Sequence, residues 1–173
     1  MDQAYCEALA IALDFELKGE AFYRQLIDKV SDPFAKKVLT FLADEEVEHI
    51  RKIEAFNDSL LGNGEFDFEA ECSLDVPERI QKFVESRRQE AEKNVSPDSN
   101  DIDIYDVALL LEQKSYEFYE KALATTEGDE KVETFFRFLL AEEQEHYDFL
   151  AYSKRYLEDP SYYFEEYGGW IFG

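Results

Sequence analysis

The two histidines of the chain, His49 and His146, stand in the same local sequence, 97 positions apart. Each follows a glutamate by three residues, so that Glu46 pairs with His49 and Glu143 pairs with His146. Residues three apart on an α-helix project from the same face, about one turn apart. Each Glu-x-x-His pair therefore presents a carboxylate and an imidazole that are suited to holding one metal ion.

The similarity between the two halves of the chain extends beyond these pairs. The aligned segments are residues 41–49 with 138–146 and residues 12–23 with 108–119. In the upstream segments Glu16 aligns with Glu112, at an offset of 96. Segments that recur at a nearly constant offset indicate an internal duplication. We therefore expect two copies of one helical hairpin.

Residues typical of helix ends divide each copy into two helices. Asp32 is a candidate N-cap that is followed by Pro33 at the first helical position. Gly128 and Asp129 are a candidate C′ residue and a candidate N-cap in the second copy. In each copy the glutamates before and after the turn are about equally far from it. An antiparallel hairpin therefore places them at the same height.

These features predict an all-α protein, a single domain over residues 1–173. Its architecture is an antiparallel four-helix bundle with a long crossover between helices 2 and 3. The predicted helices are ~3–30, ~33–60, ~104–126 and ~129–157. They pair as the hairpins ~3–60 and ~104–157. The predicted apolar stripe of the first helix consists of Leu9, Ala12, Leu13, Leu17 and Leu26.

The crossover and the C-terminal tail have their own signals. The crossover spans ~61–103, and residues 77–93 within it are a candidate helix with Asp75 as its cap. The tail, ~158–173, is too aromatic for a disordered end. We expect it either to fold back on the bundle or to enter a subunit interface.

Six residues of the two hairpins are candidate metal ligands. They are Glu16, Glu46, His49, Glu112, Glu143 and His146. Carboxylates with a single imidazole per metal favour iron or manganese over zinc. The four glutamates carry a charge of −4 that two divalent ions would neutralise, which offsets the cost of burying them. The alternative is a duplicated hairpin whose glutamates and histidines face solvent.

Small and aromatic residues recur after the first glutamate of each copy. Gly19 and Ser115 lie three residues after Glu16 and Glu112, on the inward face. They would either leave room for a small oxidant or simply let the helices approach closely. Tyr23 and Tyr119 follow two turns after the same glutamates. Core packing is the favoured interpretation for both rings, and a hydrogen bond to a carboxylate that supports the metal ligands is the alternative.

The formal net charge of −23 limits the classes of partner. It disfavours nucleic acid and anionic membranes and favours cations or a basic partner. No apolar run approaches the ~20 residues of a membrane span. Residues 1–6 lack the basic and apolar regions of a signal peptide. Cys6 and Cys72 form no Cys-x-x-Cys pair, so we expect ordinary packing thiols in a reducing cytoplasm.

Over about residues 5–155 the chain resembles the rubrerythrin branch of the ferritin-like superfamily. The matching motifs are Glu16-x-x-Gly19-x-x-Phe22-Tyr23, Glu46-x-x-His49, Glu112-x-x-Ser115-x-x-Phe118-Tyr119 and Glu143-x-x-His146. The resemblance implies a ferritin-like bundle with a non-haem di-iron centre, two iron ions per chain, and chemistry on peroxide or dioxygen. Manganese or another divalent metal is the alternative to iron.

The chain departs from that pattern in two respects. Rubrerythrins proper carry a rubredoxin-type four-cysteine iron domain, whereas this sequence has two cysteines. They also have an extra glutamate ligand in the third helix, at the position that is Ser115 here. The resemblance thus implies that electrons come from a separate donor, such as a rubredoxin-like protein.

Three functions fit these observations. The first is an oxidoreductase, expected to be a homodimer, that reduces hydrogen peroxide with electrons from the external donor. The second is an iron-handling ferroxidase that stores or delivers iron. The third is a structural dimer whose metal ions only cross-link helices.

Overall fold

Four long helices form two antiparallel hairpins that pack together. The computed structural model describes residues 3–72, 79–83, 99–126 and 128–159. Its helices are α1 (Gln3–Ile27), α2 (Pro33–Leu60), α3 (Phe68–Glu71), α4 (Ser99–Thr125) and α5 (Glu130–Glu158). The described ranges contain no β-strand. The predicted all-α, ferritin-like four-helix bundle is confirmed.

The two hairpin turns are built by the residues that the sequence indicated. The Asp32 side chain accepts hydrogen bonds from the backbone N–H groups of Phe34 and Ala35, at 2.8 and 2.9 Å. Asp129 does the same for Lys131 and Val132, at 3.0 and 3.3 Å. These side chains satisfy N–H groups that a helix start leaves without partners. Gly128 has a φ of +109°, a conformation that favours glycine.

The helix ends near the first turn differ from the prediction. α1 ends at Ile27, before the expected ~30, and α4 begins at Ser99, before the expected ~104. The fully buried Asp101 explains the early start of α4. Its carboxylate accepts from Ser31 N at 2.7 Å, Ser31 Oγ at 2.8 Å and Asp32 N at 3.1 Å. This contact ties the first turn of α4 to the α1–α2 turn.

Two apolar clusters fill the bundle on either side of a polar layer. One lies toward the α1–α2 turn and includes Leu26, Val38 and Leu150. The other lies toward the α4–α5 turn and includes Leu9 and Phe135. Both clusters are rich in aromatic rings, which seal the polar layer from each end of the bundle. None of the helices in the described ranges is long and apolar enough to cross a membrane.

The predicted apolar stripe of α1 is wrong at one position. Leu17 is 50% exposed, whereas Leu9, Ala12 and Leu26 are buried. The inward face of α1 passes through Ala12 and Glu16, four residues apart. Leu17 is displaced from that line by one residue, about 100° around the helix, and therefore faces outward.

The crossover between α2 and α4 is described in part. Residues 79–83, here called the crossover segment, are helical. They agree with the predicted helix at 77–93, whose other residues and proposed cap, Asp75, lie outside the described residues. Within the crossover segment Ile80 is buried, and the Phe83 ring contacts Phe41 and Phe149 with centroids 5.3 and 5.7 Å apart. The aromatic tail lies outside the described residues from position 160 onward.

Replacing Asp101 tests whether its contact joins the two hairpins. Asp101→Ala leaves the buried N–H of Asp32 without this acceptor, so we expect the free energy of unfolding to fall by about 2 kcal/mol. Urea denaturation of the metal-free protein measures the change. Asp103→Ala, an exposed aspartate on the same helix, is the control and should change stability by less than about 0.5 kcal/mol. Equal losses in the two variants would contradict the assigned role.

Candidate metal centre

The bundle brings all six sequence-predicted residues together in its polar layer. Each of the four helices contributes: α1 and α4 supply one glutamate each, and α2 and α5 supply one Glu-x-x-His pair each. The residues are Glu16, Glu46, His49, Glu112, Glu143 and His146, and none is more than 2% exposed. The alternative in which these side chains face solvent is therefore wrong.

The donor atoms fall into two overlapping groups. Glu16 and His49 form one group with Glu46 and Glu143, and the ligand atoms lie within 4.8 Å of one another. Glu112 and His146 form the second group with the same two glutamates. Glu46 and Glu143 thus belong to both groups. If two ions were bound, each group would supply one with its own glutamate and histidine, and Glu46 and Glu143 would be available to both.

The histidine rings are oriented consistently with these groups. The rings of His49 and His146 stack with centroids 5.2 Å apart. Nδ1 of His49 lies 3.5 Å from Glu16 Oε2, and Nδ1 of His146 lies 3.9 Å from Glu112 Oε2. Each Nδ1 therefore faces the glutamate of its own group.

The residues fit a cation because several of their buried polar atoms lack a hydrogen-bond partner. In the part of the chain that is described, Glu46 Oε2, Glu112 Oε2 and both Glu143 oxygens lack a well-directed hydrogen bond. The Nδ1 atoms of both histidines lack one as well. Buried polar atoms are normally satisfied, and a cluster of unsatisfied acceptors is explained by an ion that they would coordinate.

Two tyrosines hold the remaining glutamates from the opposite hairpin. The hydroxyl of Tyr23, on α1, donates a hydrogen bond to Glu112 on α4. The hydroxyl of Tyr119, on α4, donates one to Glu16 on α1. Both rings are fully buried in the apolar clusters. The tyrosines therefore pack in the core, as favoured from sequence, and their hydroxyls donate to two candidate ligands rather than to carboxylates that support the ligands.

Gly19 leaves space for a carboxylate. A Cβ atom added at Gly19 would lie 3.4 Å from Cδ of Glu46 and 3.5 Å from both of its oxygens. The space beside Gly19 is thus occupied by one of the two shared glutamates, and a Cβ there would make only ordinary van der Waals contact, so room for a small oxidant stays a prediction. Its counterpart Ser115 is buried, and the Ser115 hydroxyl donates to Leu111 O at 3.4 Å.

The sequence interpretation missed a second pair of glutamates. Glu45 and Glu142 directly precede the shared glutamates in the two copies, and both are buried. Glu142 Oε2 lies 3.0 Å from Nε2 of His49, and Glu45 Oε2 lies 4.0 Å from Nε2 of His146. Glu45 and Glu142, here called the supporting carboxylates, thus each face the histidine of the other hairpin. The sequence signal that could have identified these two glutamates is their recurrence at the same place in the repeat.

Burial and mutual repulsion favour the protonated form of the shared glutamates. Burial raises the pKa of Glu46 well above its usual range, and the charge of Glu16 adds to the increase. Burial also raises the pKa of Glu143, with a further contribution from the charge of Glu112. Without metal, protons neutralise part of the charge of the centre.

The Glu16 and His49 pair is held in the charged form. Burial opposes ionisation of Glu16, but a hydrogen bond from Glu46 and the charge of His49 lower its pKa to about 2. Burial likewise opposes a charged His49, yet the charge of Glu16 and close contacts with the carboxylates of Glu142 and Glu143 raise its pKa well above the usual value. A cationic imidazole thus occupies the centre when metal does not.

Comparison with known proteins gives a match at the level of the family. A protein-family model described as Rubrerythrin matches residues 7–154, most of the chain. The chain matches no curated protein and no solved structure.

The pKa shifts predict how stability changes with pH in the absence of metal. Because the pKa values of Glu46, Glu143 and His49 are raised on folding, the folded state binds more protons than the unfolded chain. Metal-free stability should therefore fall as the pH rises from about 6 to about 8. The lowered pKa of Glu16 contributes stability that is lost only in acid, below about pH 4.5, so it does not oppose this trend.

Melting temperatures in chelator across this interval check the expectation. Glu143→Gln, which removes one of the three groups, should flatten the pH dependence. A melting temperature of the metal-free protein that rises over the interval would contradict it.

Proposed function

Because this chain belongs to the rubrerythrin family, we propose that it is a di-iron oxidoreductase that reduces hydrogen peroxide with electrons from an external donor. Two iron ions are held by Glu16, Glu46, His49, Glu112, Glu143 and His146. The observation that carries this proposal is the pair of overlapping donor groups that share two glutamates.

The charge and chemistry of the donors support iron. Each group offers three carboxylates and one imidazole, a set that suits iron or manganese better than zinc. The four glutamates bring a charge of −4, which two divalent ions would balance. The supporting carboxylates Glu45 and Glu142 have cations of their own, since Arg79 pairs with Glu45 and Lys52 pairs with Glu142. Two divalent ions in place of the protons would therefore leave the centre close to neutral.

The chain's own groups prepare the site for a small oxidant. Iron, when bound, supplies electrons for reducing peroxide, a reaction that consumes two electrons and two protons and yields two water molecules. Tyr23 and Tyr119 keep protons on their hydroxyl oxygens because burial raises the pKa of both well above the usual value. Gly19 leaves the Glu46 carboxylate free of side-chain contact from α1 at that position. The aromatic clusters at both ends exclude bulk water and large substrates.

The electron donor is a separate protein with a rubredoxin-like centre. The two cysteines of this sequence cannot form a four-cysteine iron site, and Cys6 and Cys72 are both free thiols. Burial raises the pKa of Cys72 to about 12, so this side chain stays a protonated, poorly reactive thiol at neutral pH. We also propose that the protein acts in the cytoplasm as a homodimer, which size-exclusion chromatography would test.

Ser115 is the observation that favours iron handling as the second candidate. The rubrerythrin resemblance places an extra glutamate ligand at this position, and the Ser115 hydroxyl instead donates to the Leu111 carbonyl of its own helix. A centre with one carboxylate fewer has a different redox preference. In that case the protein would oxidise ferrous iron with dioxygen and store or deliver the product.

Metal stoichiometry tests the ligand assignment. Protein purified without added metal and then loaded anaerobically with Fe²⁺ should contain two iron ions per chain. The His49→Ala, His146→Ala double variant should lose most of that metal and keep its helical circular dichroism, because the apolar clusters on both sides of the centre still pack the four helices together. Full occupancy in the double variant would refute the assignment.

The choice of oxidant tests the proposed reaction. Stopped-flow oxidation of the anaerobic, iron-loaded protein should be faster with hydrogen peroxide than with dioxygen. Continuous turnover should require an added electron donor. Faster oxidation by dioxygen, with iron accumulating as a ferric mineral, would support the iron-handling function instead.

A further inference from the structure

A lysine is buried beside the candidate metal centre. Lys52 lies on α2, three residues after His49, and is only 5% exposed. Its Nζ lies 3.3 Å from Glu142 Oε2 and 4.3 Å from the centroid of the Phe138 ring. Burying an ammonium group is costly unless its charge is compensated. Its contact with Glu142 supplies that compensation.

The internal duplication shows that packing alone does not require a lysine here. At the offset of 97, Phe149 is the counterpart of Lys52, and Phe41 is the counterpart of Phe138. Phe41 and Phe149 make an edge-to-face contact with centroids 5.6 Å apart. The second copy therefore fills the same position with an apolar ring. The first copy places a cation there, over the equivalent phenylalanine.

Glu142 links Lys52 to a candidate metal ligand. Glu142 Oε2 lies 3.0 Å from Nε2 of His49. On the opposite side of the ring, Nδ1 lies 3.2 Å from Glu143 Oε1 and 3.5 Å from Glu16 Oε2. The imidazole is thus bracketed by its supporting carboxylate on one side and by candidate ligands on the other.

His146 has a looser support. Its Nε2 lies 4.0 Å from Glu45 Oε2. Glu45 pairs with Arg79 of the crossover segment, whose side chain is 28% exposed and also lies 3.5 Å from Glu142 Oε1. The histidine of the first copy is therefore supported from inside the bundle. The histidine of the second copy is supported by a cation at the edge of the bundle.

We propose that Lys52 is a positioning residue that makes the two metal positions unequal. By holding Glu142, it fixes the His49 imidazole with Nδ1 directed at the metal, so the position that uses His49 binds its ion more tightly and fills first. This inference rests on the proposed metal ligation. Carboxylates that orient a ligating histidine commonly change metal affinity by about 10- to 100-fold when removed.

Single-histidine backgrounds separate the two positions. His146→Ala retains the His49 position, and His49→Ala retains the His146 position. Each background is titrated anaerobically with Co²⁺, whose visible absorption reports both affinity and ligand geometry. Adding Lys52→Met should weaken Co²⁺ binding about tenfold in the His146→Ala background and by less than about twofold in the other. Lys154→Met, a lysine on the outer part of α5 that pairs with Asp106 at 2.6 Å, is the matched control.

A double-mutant cycle with Glu142→Gln tests whether Lys52 acts through Glu142. If it does, Lys52→Met should have little further effect once Glu142 is changed, because coupled residues are not additive. Lys52→Arg keeps the cation and should restore most of the affinity. Circular dichroism and melting curves of the metal-free variants establish that they fold. If Lys52→Met fails to fold, the comparison of Lys52→Gln with Lys52→Arg tests the same expectation.

The outcomes separate this inference from the proposed function. Wild-type protein that binds no metal would overturn both. Two bound ions in the wild type, with equal effects of Lys52→Met on both positions or additive effects in the cycle, would overturn only the role of Lys52. A loss confined to the His49 position, absent from the Glu142→Gln background, supports it.

Discussion

The structure depends on burying four glutamates and two histidines in the middle of a helical bundle. Such a layer is costly in an apolar interior. Its charge is lowered in part by protons on Glu46 and Glu143, whose pKa values are raised by burial and by neighbouring carboxylates. A pair of divalent ions would relieve the remaining repulsion between the buried carboxylates. Because the buried polar atoms of the site are poorly satisfied without metal, metal binding would be coupled to the stability of the whole fold.

The rest of the bundle holds this layer in place. Asp32 and Asp129 start the second helix of each hairpin and so set the height at which the glutamates meet. Asp101 joins the two hairpins near one end. The aromatic clusters above and below close the layer to water. Excluding water in this way keeps the electrostatic interactions within the layer strong, because water weakens the interaction between charges that it can reach.

Duplication supplies the symmetry of the centre, and a few residues depart from that symmetry. The tyrosine hydrogen bonds are exchanged between hairpins, so each copy holds the glutamate of the other. Glu45 and Glu142 follow the same pattern, because each of them faces the histidine of the other hairpin. The copies differ at Lys52, which aligns with Phe149, and at Gly19, which aligns with Ser115. A symmetric scaffold therefore encloses two donor groups whose surroundings differ.

The sequence by itself indicated the four long helices, the turns that join them and the six residues that gather in the centre, but not the short helix α3. Its repeat, its capping residues and its i, i+3 spacing are local signals, and they are read along one chain segment. The tertiary structure alone decided which glutamates are shared, which histidine each supporting carboxylate faces, and that Lys52 lies inside. Those relations join residues of different helices, and they depend on how the helices rotate and cross when they pack. Spacing along one helix does not encode that rotation. The exposure of Leu17, expected inside from its apolar character, has the same origin.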